Sequence, residues 1–463
     1  MLTYSFENRG SDSLYEYLYK QIKGDILSFR LAPKEKLPSK RELAKHLNIS
    51  IITVEGAYGQ LMAEGYIYSV PKSGYYVSPI SGAAAPPSQR EERESPTAPA
   101  PVLADFTGGH SEKSAFPFPV WARLMRETMS DSPEKLMVRS PSAGVMELRE
   151  AIAEHLFSFR GMTVSPRQII VGAGTEYLYG LIIQLLGRDC RYAVEDPGYR
   201  KISRIYEANK VDCVHIPMDD KGIDPHALGQ SGADVLHISP SHHFPSGIVT
   251  PVSRRYELLS WACSSPRRYI IEDDYDSEFR LMGKPIPPLR SIDVMGKVIY
   301  MNTFSKSLSS TIRISYMVLP QELMDEYERS LSFYSCTVSN FDQYTLAAFI
   351  RSGQLEKHIS RMRSLYRARR DILIKAIREQ KHFPSVTIME EDAGLHFLLR
   401  LDTPLSDGEI TSRCAEKGIR VSCLGEYYRH NTGDSKTLLI NYSGLEDESI
   451  SENVGLLFEC IFS

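Results

Sequence analysis

The chain has 463 residues, 42% hydrophobic and 24% charged, which is too long for one core and, at about 150 residues per domain, suggests roughly two to four soluble globular units. A net charge of −4 excludes a protein that coats nucleic acid with its whole surface and leaves room for a local basic face. No run approaches the ~20 apolar residues that span a bilayer, the amino terminus lacks a basic-then-apolar leader, and the seven cysteines form neither Cys-x-x-Cys pairs nor zinc-like groups with histidine, so we expect reduced thiols, a cytoplasmic location, no membrane and no metal.

Residues 13–29 carry Leu14, Tyr17, Leu18, Ile22 and Ile26 at helical spacing, and Pro33 and Pro38 break that helix. A second helix is expected after Ser39, with Leu43, Ala44 and Leu47 inward. A third, capped by Ser50, carries Val54, Ala57, Tyr58 and Leu61, with Asn48, Ile49 and Ser50 forming the turn between them. Two β-rich runs, Gly65-Tyr66-Ile67-Tyr68 and Tyr75-Tyr76-Val77, flank the turn Val70-Pro71-Lys72-Ser73-Gly74. Three helices and a hairpin make a winged helix over residues 1–78. Within it, Lys34, Lys36, Lys40, Arg41 and Lys45 against Glu35 and Glu42 give one short segment a charge of +3.

Residues 79–101 mix prolines with Ala, Ser and the charged run Arg90-Glu91-Glu92-Arg93-Glu94. So little apolar surface cannot offset the entropy of ordering the chain, and a flexible linker is expected there. Residues 102–463 alternate helical stretches with apolar runs such as Gln168-Ile169-Ile170-Val171, Val235-Leu236-His237-Ile238, Arg268-Tyr269-Ile270-Ile271 and Lys297-Val298-Ile299-Tyr300. Near-continuous apolar runs suit strands covered on both faces, so an α/β domain with a mainly parallel central sheet follows. From Asp325 onward we expect one long helix and then a smaller α+β lobe.

The segment Leu37-Pro38-Ser39-Lys40-Arg41-Glu42-Leu43-Ala44, followed by Leu47, Ser50, Thr53-Val54, Ala57-Tyr58, Leu61 and Glu64-Gly65-Tyr66, resembles the GntR family of winged-helix regulators. The resemblance implies double-stranded operator DNA as a partner, with the third helix in the major groove, Ser39, Lys40, Arg41, Ser50 and Thr53 on the DNA, and Lys72 at the wing tip. Where that family often carries an arginine after the capping serine, this chain has Ile51-Ile52, which shifts the expected base readout toward Glu55 or the backbone.

The segment Met301-Asn302-Thr303-Phe304-Ser305-Lys306-Ser307-Leu308, with Arg313 beyond it, resembles the lysine segment of fold-type I pyridoxal-phosphate enzymes. It implies pyridoxal 5′-phosphate as cofactor, a Schiff base at Lys306, and Thr303, Ser305 and Arg313 on the phosphate. Glu272-Asp273-Asp274-Tyr275 follows an apolar run, as ligand-binding strand ends do. Asp273 is implied at the pyridine nitrogen and Tyr275 at the 3-oxygen, whereas Asp274 fits a solvated strand end. Gly172-Ala173-Gly174-Thr175-Glu176 opens a helix where the phosphate cup belongs, which places Gly174, Thr175 and Glu176 there. Glu195-Asp196-Pro197-Gly198-Tyr199 is similar to the segment whose ring, here Tyr199, stacks on the cofactor. Pro240-Ser241-His242-His243-Phe244-Pro245-Ser246-Gly247 is similar to the loop beneath it, with His243 where relatives carry glutamine.

Together the two halves resemble the MocR subfamily of GntR regulators from end to end, an architecture that implies a head-to-tail, domain-swapped homodimer sensing a small amine, an amino acid or pyridoxal phosphate itself. Two alternatives stand beside the sensor. One is an active aminotransferase with an accessory DNA-binding module. The other is a pure DNA-binding protein whose large domain is a dimerisation scaffold. The late Arg-x-Asn pattern that grips amino acid carboxylates in aminotransferases is replaced by Thr437-Leu438-Leu439-Ile440-Asn441-Tyr442, with Leu439 in the arginine's place and Arg420, Arg429 and Lys201 as substitutes. The set Lys306, Asp273, Tyr275 and Arg313 speaks against a scaffold.

Overall fold

A computed structural model describes residues 2–6, 9–10, 12–79, 102–108, 116–281, 286–391, 394–429 and 433–463. All but Pro79 of the linker expected at 79–101 lies outside the described residues. The chain divides into two compact units, Met1–Pro99 and Ala100–Ser463, and none of the described helices is long and apolar enough to cross a membrane.

In the smaller unit three helices, Leu14–Leu27, Lys40–Leu47 and Ile51–Ala63, precede the hairpin strands Ile67–Val70 and Gly74–Val77. Each helix begins where a serine supplies a cap. Ser13 and Ser39 close capping boxes with Glu16 and Glu42, and the Ser50 hydroxyl accepts from the Thr53 amide. Asn48 ends the second helix in the left-handed region. Leu18, Ile22, Leu43, Val54, Ala57, Tyr58 and Leu61 form the core. The sequence reading omitted the short strand Lys36–Leu37, which pairs with Gly74–Val77 and completes a three-stranded wing.

The larger unit is built on an eight-stranded sheet. In spatial order its strands are Ile169–Gly172, Ser315–Val318, Val298–Thr303, Tyr269–Asp273, Val235–Ile238, Arg191–Asp196, Asp212–Asp219 and Gly222–Ile223. Ser315–Val318 and the short Gly222–Ile223 run antiparallel to their neighbours and the rest are parallel. The apolar runs are unbroken because alternate residues serve opposite faces: Ile270 and Val298 enter one core cluster, Ile271 and Ile299 another. Helices such as Thr175–Leu186 and Val252–Cys263 cover the two faces.

The single long helix expected from Asp325 is three helices, Gln321–Ser330, Asn340–Arg351 and Gln354–Arg378. The Ser339 hydroxyl caps the second of these by accepting from the Asp342 amide, and left-handed Gly353 separates it from the third. A four-stranded antiparallel sheet of Val386–Met389, His396–Leu401, Thr437–Asn441 and Ser422–Cys423 then packs against helices including Ile450–Phe462, forming the smaller lobe.

Asp274 is no solvated strand end. It is buried, and its Oδ2 accepts from Arg160 Nη2 (2.7 Å), Tyr300 Oη (2.7 Å) and Ser277 Oγ (2.9 Å). Removing one partner of a buried ion pair strands the other in a dry interior. Asp274→Ala is therefore expected to lower stability by about 3–5 kcal/mol, whereas replacing the pair together, Arg160→Met with Asp274→Leu, recovers only part of that loss in denaturant titrations, because the Tyr300 and Ser277 hydroxyls still lose their acceptor.

Candidate cofactor site and nucleic-acid interface

The parallel strands end with Gly172, Asp196, Asp273 and Thr303 at one edge of the sheet, where each chain turns away and leaves polar atoms facing an opening. A cavity of about 780 Å³ lies there. Lys306, Asp273, Tyr275, Thr175, Glu176, Tyr199, Thr303, Ser305 and Arg313 line it. Gly174 caps the Thr175–Leu186 helix, with its φ of +93° in the region glycine favours. A Cβ there would crowd the Arg313 guanidinium, so a side chain at this position would displace the arginine from the helix amides. Thr303 Oγ1 donates to Ser305 Oγ (2.9 Å) and accepts from the Ser305 amide (3.1 Å) and from Ser315 Oγ (2.8 Å), which fixes the two hydroxyls expected at the phosphate.

Asp273 is the most constrained member. It is buried, its Oδ2 accepts a 2.5 Å hydrogen bond from Tyr179 Oη and lies 3.7 Å from His237 Nε2, and Tyr206 Oη lies 2.7 Å from His237 Nδ1. Its Oδ1, equally buried, has no hydrogen-bond partner among the described residues. A buried carboxylate oxygen left open costs stability unless a donor in the cavity satisfies it, and a protonated pyridine nitrogen is such a donor. Desolvation lowers the Lys306 pKa against a smaller opposing pull from Asp276, which favours the neutral, nucleophilic amine. Open acceptor, amine, hydroxyls, arginine and helix N-terminus together match the demands of pyridoxal phosphate.

The remaining expected residues fall into place unevenly. Tyr199 lines the cavity with its ring edge-on to Phe244, centroids 5.5 Å apart. Glu176 ion-pairs with both Arg313 and Lys201, and Arg429 Nη1 lies 3.1 Å from Glu207 Oε1 at the cavity wall. Arg420 pairs instead with Asp105 (3.7 Å) and is not among the lining residues. His243 does not line the cavity either; it is buried with Nδ1 2.7 Å from Ser246 Oγ and Nε2 3.5 Å from Glu195 Oε2. Sequence reasoning missed Tyr179, His237, Tyr206 and Asn441. Tyr179 stands four residues after Thr175, on the same side of its helix, and His237 interrupts an otherwise apolar strand; both were available signals.

In the smaller unit Ser39 and Ser50 cap consecutive helices, Thr53 Oγ1 lies 2.8 Å from Ser50 Oγ, and Arg41 is exposed on the first turn of Lys40–Leu47. Lys40 donates to Glu55 Oε1 (2.6 Å) and lies over the Tyr75 ring. Lys72 sits exposed in the wing turn with φ +62°.

A winged helix joined to an aminotransferase fold defines a regulator class, and comparison with known proteins agrees. Residues 109–455 match the aminotransferase class I and II family, and residues 14–77 match the gntR family of bacterial regulatory proteins. The chain is 38% identical to an uncharacterized HTH-type transcriptional regulator, YdeL, of Bacillus subtilis, over 97% of each chain. It is 31% identical to the probable rhizopine catabolism regulatory protein MocR of Rhizobium meliloti (96% of this chain, 93% of that one) and 30% identical to the pyridoxine biosynthesis transcriptional regulator PdxR of Corynebacterium glutamicum (95% and 94%). Among solved structures, a multiple substrate aminotransferase from Thermococcus profundus superposes with TM-score 0.67 at 24% identity over 78% of this chain and 91% of its own. The chain belongs to the MocR subfamily of GntR-type transcription regulators, DNA-binding proteins whose aminotransferase-like domain takes pyridoxal phosphate.

Burial pushes the Glu195 carboxyl up to about 8, opposed by a hydrogen bond from the Ser239 amide, and burial pushes the His243 ring down to about 3. Because the folded Glu195 binds its proton more tightly than the unfolded chain does, its contribution favours folding at low pH and is lost as pH climbs from the ordinary carboxyl range through about 8. Glu195→Gln is expected to match the parent protein near pH 5. Its stability advantage should then grow toward pH 8 by up to about 1.4 kcal/mol per pH unit, as followed by melting of the cofactor-free protein.

Proposed function

We propose that this regulator holds pyridoxal phosphate on Lys306 and, through the same cavity, senses a small amine, an amino acid or the cofactor itself, altering its grip on operator DNA. The observation that carries the reading is the meeting of Lys306, Tyr275 and the half-satisfied Asp273 on one cavity. When bound, pyridoxal phosphate supplies an electrophilic carbon that amines attack and a ring that draws electrons from it. Asp273 Oδ1 accepts from the ring nitrogen, Tyr275 faces the 3-oxygen, and Tyr199 packs against the ring. Gly174, Thr175, Glu176, Thr303, Ser305 and Arg313 surround the phosphate, with helix amides and a guanidinium supplying its donors. Leu439 is buried on the strand that brings Asn441 to the cavity, so the position of an aminotransferase carboxylate clamp is apolar, which favours sensing over turnover.

On the DNA side, Ser39, Lys40, Arg41, Ser50 and Thr53 contact the duplex through the two capped helices, and Lys72 reaches it from the wing. Residues 1–78 form the DNA-binding domain, 79–101 a flexible linker and 102–463 the effector domain, assembled as a head-to-tail, domain-swapped homodimer in the cytoplasm. Family architecture supports this assembly, and relatives named for pyridoxine biosynthesis and for rhizopine catabolism support either the cofactor or a small metabolite as effector.

Absorption spectra of the protein with pyridoxal phosphate, beside Lys306→Ala, provide the test. A visible band that borohydride abolishes and the variant lacks is expected; no band at any cofactor concentration overturns the reading, and steady conversion of an amino donor with a keto acid establishes an aminotransferase instead. In DNA binding, Arg41→Ala should weaken every duplex alike and reduce the slope of log K against log salt by about 1, as loss of one phosphate contact requires. An unchanged slope removes Arg41 from the backbone contacts.

A further inference from the structure

The third helix of the winged unit has two unlike sides. Val54, Ala57, Tyr58 and Leu61 are buried in the core, and the stripe at 52, 55, 56 and 59 looks outward at the same helical interval. At the start of that stripe stand two bare isoleucines, Ile51 48% exposed and Ile52 79% exposed. β-branched side chains are mediocre helix formers, and Ile52 in particular gains little from packing here, so local stability does not account for it. Gly56 and Gly59 continue the stripe, and neither is required by its surroundings: a Cβ at Gly59 meets nothing within 4 Å, and one at Gly56 makes ordinary 3.6 Å contact with Tyr15. The result is a helix that begins with an apolar, exposed tip, while Gly56 farther along packs beside Tyr15 of the first helix. Glu55, the charged residue on this face, pairs through Oε1 with Lys40 at 2.6 Å, so any use of it as an acceptor for cytosine amino groups competes with that exposed ion pair.

The tip adjoins Ser50 and Thr53, so it continues the surface assigned above to DNA. In the major groove the base-edge group that an aliphatic side chain can recognise is the 5-methyl of thymine. We propose that Ile51 and Ile52 read thymine methyl groups and so set the base preference of this regulator. The proposal rests on the reading that this helix faces DNA. It predicts an operator half-site with one or two thymines opposite the start of the helix, recognised by shape and apolar contact in place of hydrogen bonds.

The test is selection of bound duplexes from a randomised pool by the full-length protein, followed by single replacement of each selected thymine with uracil, which removes a methyl group and nothing else. For the parent protein, uracil at one or two positions should weaken binding about fourfold each, the value of burying one methyl, and Ile52→Ala should be insensitive to uracil at its own position while retaining its melting temperature. Neutral uracil substitution at every selected thymine overturns the proposal and leaves DNA binding intact. Neutral substitution combined with a changed association state of Ile52→Ala assigns the pair to a protein contact, which also overturns it. Enrichment of no duplex at all defeats the DNA-facing reading and the proposal together.

Discussion

The large unit depends on an incomplete interaction. Asp273 is buried at the end of a central strand with one oxygen satisfied by Tyr179 and the other unsatisfied by any described residue. A buried acceptor without a protein partner is costly, and a donor entering the cavity that Asp273 lines would offset that cost. Much of the surrounding architecture serves this arrangement: the parallel strands bring Asp273, Thr303 and the Gly172 turn to one edge, and the buried, largely apolar body of the sheet holds those positions.

The same logic explains what could be read from sequence. Strands buried on both faces advertise themselves as unbroken apolar runs, so the central sheet and the residues just past its strand ends were legible, Lys306, Asp273, Tyr275 and Gly174 among them. The serine caps and Asn48 marked the winged helix for a similar reason, since each satisfies backbone groups that have no other local partner. Tertiary partners were less visible. Tyr206 reaches His237 and Tyr179 reaches Asp273 across separations of 31 and 94 residues, and periodicity carries no record of such pairings. The helix expected from Asp325 was misjudged although residues 331–339, rich in Ser, Thr and aromatic residues, interrupt the helical composition; the further signals were one serine cap and one left-handed glycine.

The two units impose separate demands on a sensor. A ligand shifts an equilibrium between arrangements only by its difference in affinity for them, and moving a population from 1:99 to 99:1 takes about 5.5 kcal/mol of such difference. The cavity has features able to supply part of it. Glu176 joins Arg313, which lies at the expected phosphate corner, to Lys201 on the helix that follows Tyr199. On the sensor reading, a ligand phosphate competing for Arg313 alters the balance of a charge network that also tethers the segment following Tyr199.

Whether such a cavity turns over is decided by how firmly it orients the second substrate. Transamination requires an amino acid to be held with its reacting bond aligned to the ring, and a buried arginine on the late strand supplies that alignment in aminotransferases. Here Leu439 fills the position, and the nearby cations Lys201 and Arg429 are half-exposed and already paired with Glu176 and Glu207. Exposed pairs of this kind exchange partners at small cost, with typical worth of about 0–1 kcal/mol, so they admit anionic ligands without fixing one pose. On the sensor reading, this favours reversible capture of amines over efficient chemistry, and it places selectivity in the shape of the cavity mouth.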